Sequence, residues 1–304
     1  MRLGLGIPVS GSWATPDVMV ELARTAEELG YHSLWTFQRL LHPRDAQWSP
    51  VYRSVLDPVA VLGFVAGLTS RLRLGVAVVN LPFLAPVVLA KQLTTLDVVS
   101  RGRLDVGLGL GWVPEEFTAA GIPYERRGAR MEEGIRCLKA IWDDDPVSFS
   151  GDFFTVPPSQ IQPKPVQKPH PPILLGGTAE RALRRAGRVA DGWVSSSRHD
   201  LTRISEAIRV VRNAAADAGR DARELRIVVR GVVHLEEELT DRDGSRRPLT
   251  GNAVQIRGDL RALEDGGVTE VFLDLNFNPR VGSPDADAGA SRNYARRVMD
   301  TFSP

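Results

Sequence analysis

Short apolar runs alternate along this chain with longer stretches in which apolar positions recur every three or four residues. These are the rhythms of buried strands and amphipathic helices. Arg2–Ile7 predicts a first strand. A helix follows from Thr15-Pro16, a cap residue ahead of a first-turn proline, with Val18, Leu22, Thr25 and Leu29 on one face and Gly30 at its end. Ser33–Phe37 predicts a second strand, and Asp57-Pro58 opens the next helix in the same way. Leu72–Val79 and Arg103–Leu108 predict the third and fourth strands, with a helix between them carrying Leu89, Leu93 and Leu96 behind Ala85-Pro86. Met131, Ile135, Leu138 and Trp142 mark a further helix, in which Cys137 reads as a small core residue.

The rhythm breaks at Val147–Pro172. VSFSGDFFTV predicts a hairpin turning at Gly151-Asp152, and a proline-rich crossing, QPKPVQKPHPP, follows it. Alternation then resumes. Ile173–Leu175, Gly192–Val194, Leu225–Val233 and Glu270–Leu273 predict four more strands. Helices marked by Ala182 and Ala186, by Ile204 and Ile208, by Ile256 and Leu260, and by Ala288–Phe302 follow them in turn. Eight strands and about eight helices in strict alternation predict an α/β fold, a (β/α)8 TIM barrel forming one domain over residues 1–304, with the hairpin and crossing (about 143–172) inserted between strands 4 and 5. A doubly wound sheet is the competitor. It ordinarily has a Gly-rich turn after its first strand, where this chain reads PVSGSWATP.

Composition narrows the function. The 304 residues are 43% hydrophobic and carry a net charge of +1, so no global field draws nucleic acid or an anionic membrane. The single cysteine excludes a disulfide framework and any multi-cysteine metal site. The five histidines show no metal spacing, so no metal is expected. No apolar run approaches the ~20 residues that cross a bilayer, and MRLGLGIPVS lacks a signal-peptide core. A cytoplasmic protein is the expectation.

Active sites on a barrel of this kind lie on the loops after the strands. After strand 5, Gly176-Gly177-Thr178 opens a helix; two glycines, a hydroxyl and free N–H groups form a phosphate cradle or, equally, a tight turn before a helix. After strand 4, Gly107, Gly109 and Gly111 give one face without side chains, against which a planar ring can lie, unless they merely relieve crowding. Asn80 follows strand 3. Gln38-Arg39 follows strand 2 and begins a loop of about twenty residues. Ser196 and His199 follow strand 6. His42 and His199 fall on the functional rim as candidate substrate contacts. His32, His170 and His234 read as satisfied or surface groups.

Four segments together are similar to the bacterial luciferase-like oxidoreductases, especially their branch that uses coenzyme F420, and resemble the probable F420-dependent oxidoreductases of actinobacteria. They are SLWTFQRLLHP, LGVAVVNLPFLAPVVLAKQLTTLDVVSRGRLDVGLGLGW, the VSFSGDFFTV hairpin with its crossing, and PPILLGGTAERALRRAGRVADGWVSSS. The resemblance implies a phosphate site on Gly176, Gly177 and Thr178. It implies a non-proline cis peptide at Ala77-Val78 behind a flavin-like ring, with Asn80 contacting the cofactor. Gly109, Gly111, Trp112 and Glu115 would line the ring and its sugar-like chain, and Ser196 would meet substrate or cofactor. It also implies a small-molecule substrate and a homodimer.

The chain departs from the family at the chemistry. F420-dependent dehydrogenases often have Asp-His where it has Gln38-Arg39, and a Glu where it has Trp112. Arginine stays protonated and takes no proton from an alcohol. Gln38 and Arg39 are therefore the candidate catalytic residues in another role: Arg39 holding an anionic substrate, stabilising charge on the reduced ring, or forming a rim salt bridge. Trp35, Phe37 and Trp112 are expected to form a water-excluding wall. The expected function is a hydride-transferring F420 oxidoreductase, acting as a reductase. An FMN monooxygenase using O₂ and a non-catalytic carrier or sensor are the alternatives. Arg181 and Arg184, past Gly177, are candidates for the acidic tail of F420.

Overall fold

The computed structural model describes all 304 residues. Each predicted strand pairs parallel with its neighbours, and the sheet closes on itself. The strands are β1 (Arg2–Gly6), β2 (Ser33–Thr36), β3 (Arg73–Val76), β4 (Leu104–Gly109), β5 (Ile173–Gly176), β6 (Gly192–Val194), β7 (Arg226–Val232) and β8 (Glu270–Asp274). β1 lies between β2 and β8, and β3 joins β4 through Leu74↔Leu104 and Gly75↔Asp105. Helices α1 (Pro16–Glu28), α2 (Pro58–Ala66), α3 (Pro86–Val99), α4 (Arg127–Asp143), α5 (Glu180–Val189), α6 (Ile204–Asp217), α7 (Ala253–Asp265) and α8 (Ala288–Thr301) surround it. The architecture is a (β/α)8 barrel.

Local chemistry starts the helices as the sequence predicts. The Asp57 carboxylate accepts from the N–H groups of Val59 and Ala60, and Thr15 accepts from Val18. Asn252 and Gln255 form a reciprocal capping box at α7. The insertion is an antiparallel hairpin of Val147–Ser150 with Thr155–Ser159. Glu133 of α4, buried, accepts N–H bonds from Asp152, Phe153 and Phe154 at 2.9, 2.7 and 2.8 Å and so pins the hairpin turn. Asp97 of α3 holds the crossing through Val166 and Gln167.

The main core lies between strands and helices. A second cluster fills the barrel itself: Trp35, Ala77, Leu174, Val194, Val228 and Phe272. Trp35 stacks on Phe272 at 5.1 Å, and Gly75 makes room for it, since a Cβ there would lie 2.3 Å from the indole. Trp35 is thus interior packing and no part of a lid. Below it, at the strand N-termini, Asp105 takes Arg73 and Arg226 in ion pairs at 2.5 and 2.6 Å, and Glu270 takes Arg226 at 3.0 Å. Polar groups plug this end, so the opposite end is the open one.

Strand 3 breaks at the non-proline cis peptide that the resemblance implies at Ala77-Val78, although its apolar pattern alone reads as one strand. Leu72–Val79 is not one strand: β3 ends at Val76, a cis Ala77-Val78 peptide follows, and Val79–Asn80 pairs with Leu108–Gly109. The apolar run hides the break because both halves are buried.

Candidate functional site

The loops after the strands enclose a cavity of about 520 Å³ at the open end, within the range of cofactor and substrate pockets. Gln38, Arg39, Ala77, Val78, Asn80, Gly109, Gly111, Trp112, Gly176, Gly177, Thr178, Ser196 and His199 all line it. Glu115 and His42 do not. Glu115 faces solvent from the short helix Pro114–Ala119, whereas its neighbour Glu116 points inward and is fully buried. His42 is half-buried and packs against Trp48.

The loop after β5 has the form of an anion cradle. Gly177 has φ +140°, and a Cβ on it would lie 2.5 Å from Ala182 Cβ. Trp193 Nε1 donates to the Gly177 carbonyl at 2.9 Å and fixes the loop from behind. No side chain caps the first turn of α5, although Glu180 stands in that turn, paired with Arg184. Arg181 and Arg184 do not line the cavity; both are exposed on α5, and Arg184 pairs with Glu180.

The glycines of β4 answer to the bulge after β3. A Cβ on Gly109 would meet Val78 at 2.3 Å, and one on Gly107 would meet the Val76 carbonyl at 1.8 Å. Crowding therefore accounts for both, while Val78 itself supplies the cavity wall. Gln38 Oε1 accepts from the Asn80 N–H at 2.9 Å. That contact makes Gln38 a clamp on the strand 3 terminus and leaves its Oε1 already engaged.

Arg39 is deeply placed. Its Nη1 lies 2.9 Å from Glu116 Oε2, an ion pair misaligned as a hydrogen bond, and Glu116 Oε1 also accepts from the Leu40 N–H. The guanidinium carbon lies 4.8 Å from the Trp112 ring, 4.9 Å from Tyr52 and 5.7 Å from Trp48. Burial pushes the Arg39 pKa down against the pull of Glu116, with Arg198 adding to the downward push. Arg198 lies 5.1 Å from the same Trp112 ring. Trp112 is 44% exposed and stands at the rim, whereas Phe37 is buried and also lines the cavity, against Phe277 at 4.7 Å.

Arg230 and Phe277 escaped the sequence reading. Arg230 is buried at the cavity floor, donates to the Ala77 carbonyl at the bulge, lies 3.6 Å from Asp274, and has an unpartnered Nε. Burial holds its pKa below the usual arginine value. A signal existed: an arginine inside the apolar run RIVVRGVV cannot be a core residue without a purpose. His199 packs edge-on to Trp193, and burial lowers its pKa despite Asp200, so the imidazole is neutral at pH 7.

Residues 4–244 match the family described as luciferase-like monooxygenase. An uncharacterised protein of Mycobacterium tuberculosis is 34% identical over 310 residues, covering 98% of this chain and 97% of its own length. An FMNH(2)-dependent dimethylsulfone monooxygenase of Pseudomonas putida is 36% identical over 166 residues, 54% of this chain and 45% of that protein. Among solved structures, an F420-dependent secondary alcohol dehydrogenase in complex with an F420-acetone adduct superposes with a TM-score of 0.79 at 17% identity, covering 100% of this chain and 99% of the other.

Proposed function

This chain belongs to the luciferase-like monooxygenase family, and from that premise we propose that it is an F420-dependent oxidoreductase acting as a reductase on a small organic substrate. The observation that carries the reading is the barrel-mouth cradle at Gly177, followed by a helix on which Arg184, Arg185 and Arg188 are paired with Glu180 and Glu132 and Arg181 has no carboxylate partner. A phosphate fits the glycine backbone, and an acidic tail would meet Arg181 beyond it. When bound, the deazaflavin ring supplies a hydride. Gly176, Gly177 and Thr178 would hold the phosphate, and Val78 and Asn80 would back the ring. Ser196 would meet the ligand at the β6 rim, and Arg230 would fix charge at the floor.

Neither Gln38 nor Arg39 is placed to take a proton. Gln38 Oε1 is engaged by Asn80, and Arg39 is paired with Glu116. The strand 2 position therefore supplies no group for proton transfer, which argues against interconversion of an alcohol and a carbonyl in either direction and for a different hydride acceptor. A second reading, an FMN-dependent monooxygenase using O₂, is favoured by the 36% identity to the dimethylsulfone enzyme.

Parallel titration of the purified protein with F420 and FMN separates the two. F420 is expected to bind at micromolar concentration or below and FMN at least tenfold more weakly, a gap of ~1.4 kcal/mol. Gly177→Asp is expected to weaken F420 by well over tenfold, because it adds both a Cβ and a negative charge to the cradle. Equal affinities, or FMN copurifying with the protein, defeat the F420 assignment.

A homodimer is part of the proposal. Phe64 on α2 and Val87, Val88, Val98 and Val99 on α3 are exposed, and an apolar groove of about 620 Å³ runs between the two helices. Apolar faces of this kind mark interaction surfaces. Sedimentation equilibrium is expected to give twice the chain mass of 33.3 kDa.

A further inference from the structure

A second cavity of about 450 Å³ lies beside the first, over β7 and β8. The two share Tyr52, Ser197, Arg198 and Phe277, so they form one continuous mouth with two compartments. The phosphate cradle, the strand 3 bulge and the β4 wall all belong to the first compartment. The second contains none of them. Its charged lining is different: Arg198, Arg247, Arg280 and His234 face a single carboxylate, Glu237.

Arg280, Arg247 and His234 each have a carboxylate partner. Arg280 lies 2.9 Å from Glu237, His234 Nδ1 lies 3.0 Å from the same carboxylate, and Arg247 lies 2.8 Å from Asp241. Arg198 has no carboxylate within ion-pair distance, and it stands at the junction of the compartments. It shares the Trp112 ring with Arg39, whose one carboxylate, Glu116, already faces Arg39. Arg198 is exposed at the mouth, and of the two guanidiniums on this indole it is the one without a carboxylate partner and so free to meet an anion. The compartment also contains an unsatisfied group: Ser49 Oγ is buried and has no hydrogen-bond partner, a state that calls for a ligand or water. Tyr52 and Phe277, with ring centroids 5.6 Å apart, supply an apolar wall next to Arg198.

We infer that the second compartment is the substrate chamber, and that its substrate is a small organic anion with an apolar or aromatic body, the acid group on Arg198 and the body on Tyr52 and Phe277. This rests on the oxidoreductase reading of the neighbouring compartment. A carboxylate and a phosphate monoester share the required chemistry, since each matches the fork of a guanidinium.

The test is isothermal calorimetry with benzoate, phenyl phosphate and the neutral benzamide. It is run on the free protein and on protein saturated with whichever of F420 and FMN binds. At least one anion is expected to bind at millimolar concentration or below, and at least tenfold more tightly than benzamide. Arg198→Ala is expected to abolish that preference, and Arg198→Lys to restore part of it. Gly177→Asp is expected to leave it intact, which places the anion away from the cradle. The preferred anion identifies the acid group. The inference is overturned if neither anion binds, if benzamide binds as well as the anions, if Arg198→Ala keeps the preference, or if Gly177→Asp removes it. Cofactor binding is followed separately by its own absorbance. Failure of both cofactors to bind would end the redox reading while the anion preference stays readable on the free protein.

Discussion

Removing the Arg39 guanidinium leaves Glu116, fully buried, without its counter-charge. Stranding one member of a buried pair costs about 3–5 kcal/mol. Arg39→Ala is therefore expected to lose stability on that scale in urea unfolding, and Arg39→Met with Glu116→Leu to recover most of it. If Arg39→Ala unfolds at the wild-type midpoint, the pair carries no stability and Arg39 is free for substrate. The sequence marked Arg39 as a departure but chose Glu115 over Glu116. One residue turns a helix by roughly 100°, and Pro114–Ala119 is too short to show its buried face through periodicity. Gly177 was legible as a loop position between a strand and a helix, where a cradle and a tight turn read alike, and the structure puts it in the cavity lining at positive φ. Gly109 was legible as a position, and of its two readings the relief of crowding holds, against Val78 in the strand 3 bulge, a neighbour the sequence does not name. Arg230 was missed because a strand pattern says which residues face inward but not which barrel layer they reach.

At the scale of elements, one side chain decides whether the insertion stays docked. Glu133 receives three backbone N–H bonds from the hairpin turn, and a Cβ on Gly151 would lie 2.3 Å from its carboxylate. A hydrogen bond to a charged acceptor contributes roughly 1.5–3 kcal/mol. Glu133→Ala is expected to release the turn while the barrel persists, so that the amides of Asp152, Phe153 and Phe154 exchange far faster than those of β4 or β5. Uniform protection in the variant would show the turn held by its aromatic residues alone. The hairpin itself was readable from VSFSGDFFTV, because alternation and a Gly-Asp turn are local signals. Its docking was not, since Glu133 reads as an ordinary polar residue of α4 until the turn is placed over it. The same difference explains strand 3. Leu72–Val79 satisfies the local rule for a buried strand throughout, so its division at Ala77-Val78 came from the family resemblance and not from the pattern, and pairing with β4 bears it out.

The whole molecule was the most legible level, because alternation of strand and helix is repeated eight times and each repeat supports the others. The plug at its closed end was invisible, since Arg73, Asp105, Arg226 and Glu270 are far apart in sequence and each begins or flanks an apolar strand. That plug gives the fold a predictable response to acid. Burial alone would raise the Asp105 pKa, but hydrogen bonds from Arg73 and Arg226 outweigh it and hold the pKa below 3.8. The folded state thus binds fewer protons at Asp105 than the unfolded chain, and the carboxylate's contribution is complete above an unfolded pKa of ~3.9 and lost as pH falls through the folded value. His32, beside the plug, is also held below its ordinary 6.5, by burial against the pull of Glu270. It too binds fewer protons when folded, so its contribution falls away in a higher window, as pH drops below 6.5. Asp105→Asn removes Asp105's share of the lower window and leaves Arg73 and Arg226, both largely buried, short of charge, at a cost of about 3–5 kcal/mol near neutral pH. Urea midpoints measured from pH 7 to pH 3 are expected to decline in two stages for the wild type. In the variant they start lower and their decline in the lower stage is shallower, the other low-pKa carboxylates such as Glu27 still contributing to it. A variant that tracks the wild type at every pH would mean that Glu270 alone compensates Arg226 and that the plug's charge is shared differently from its geometry.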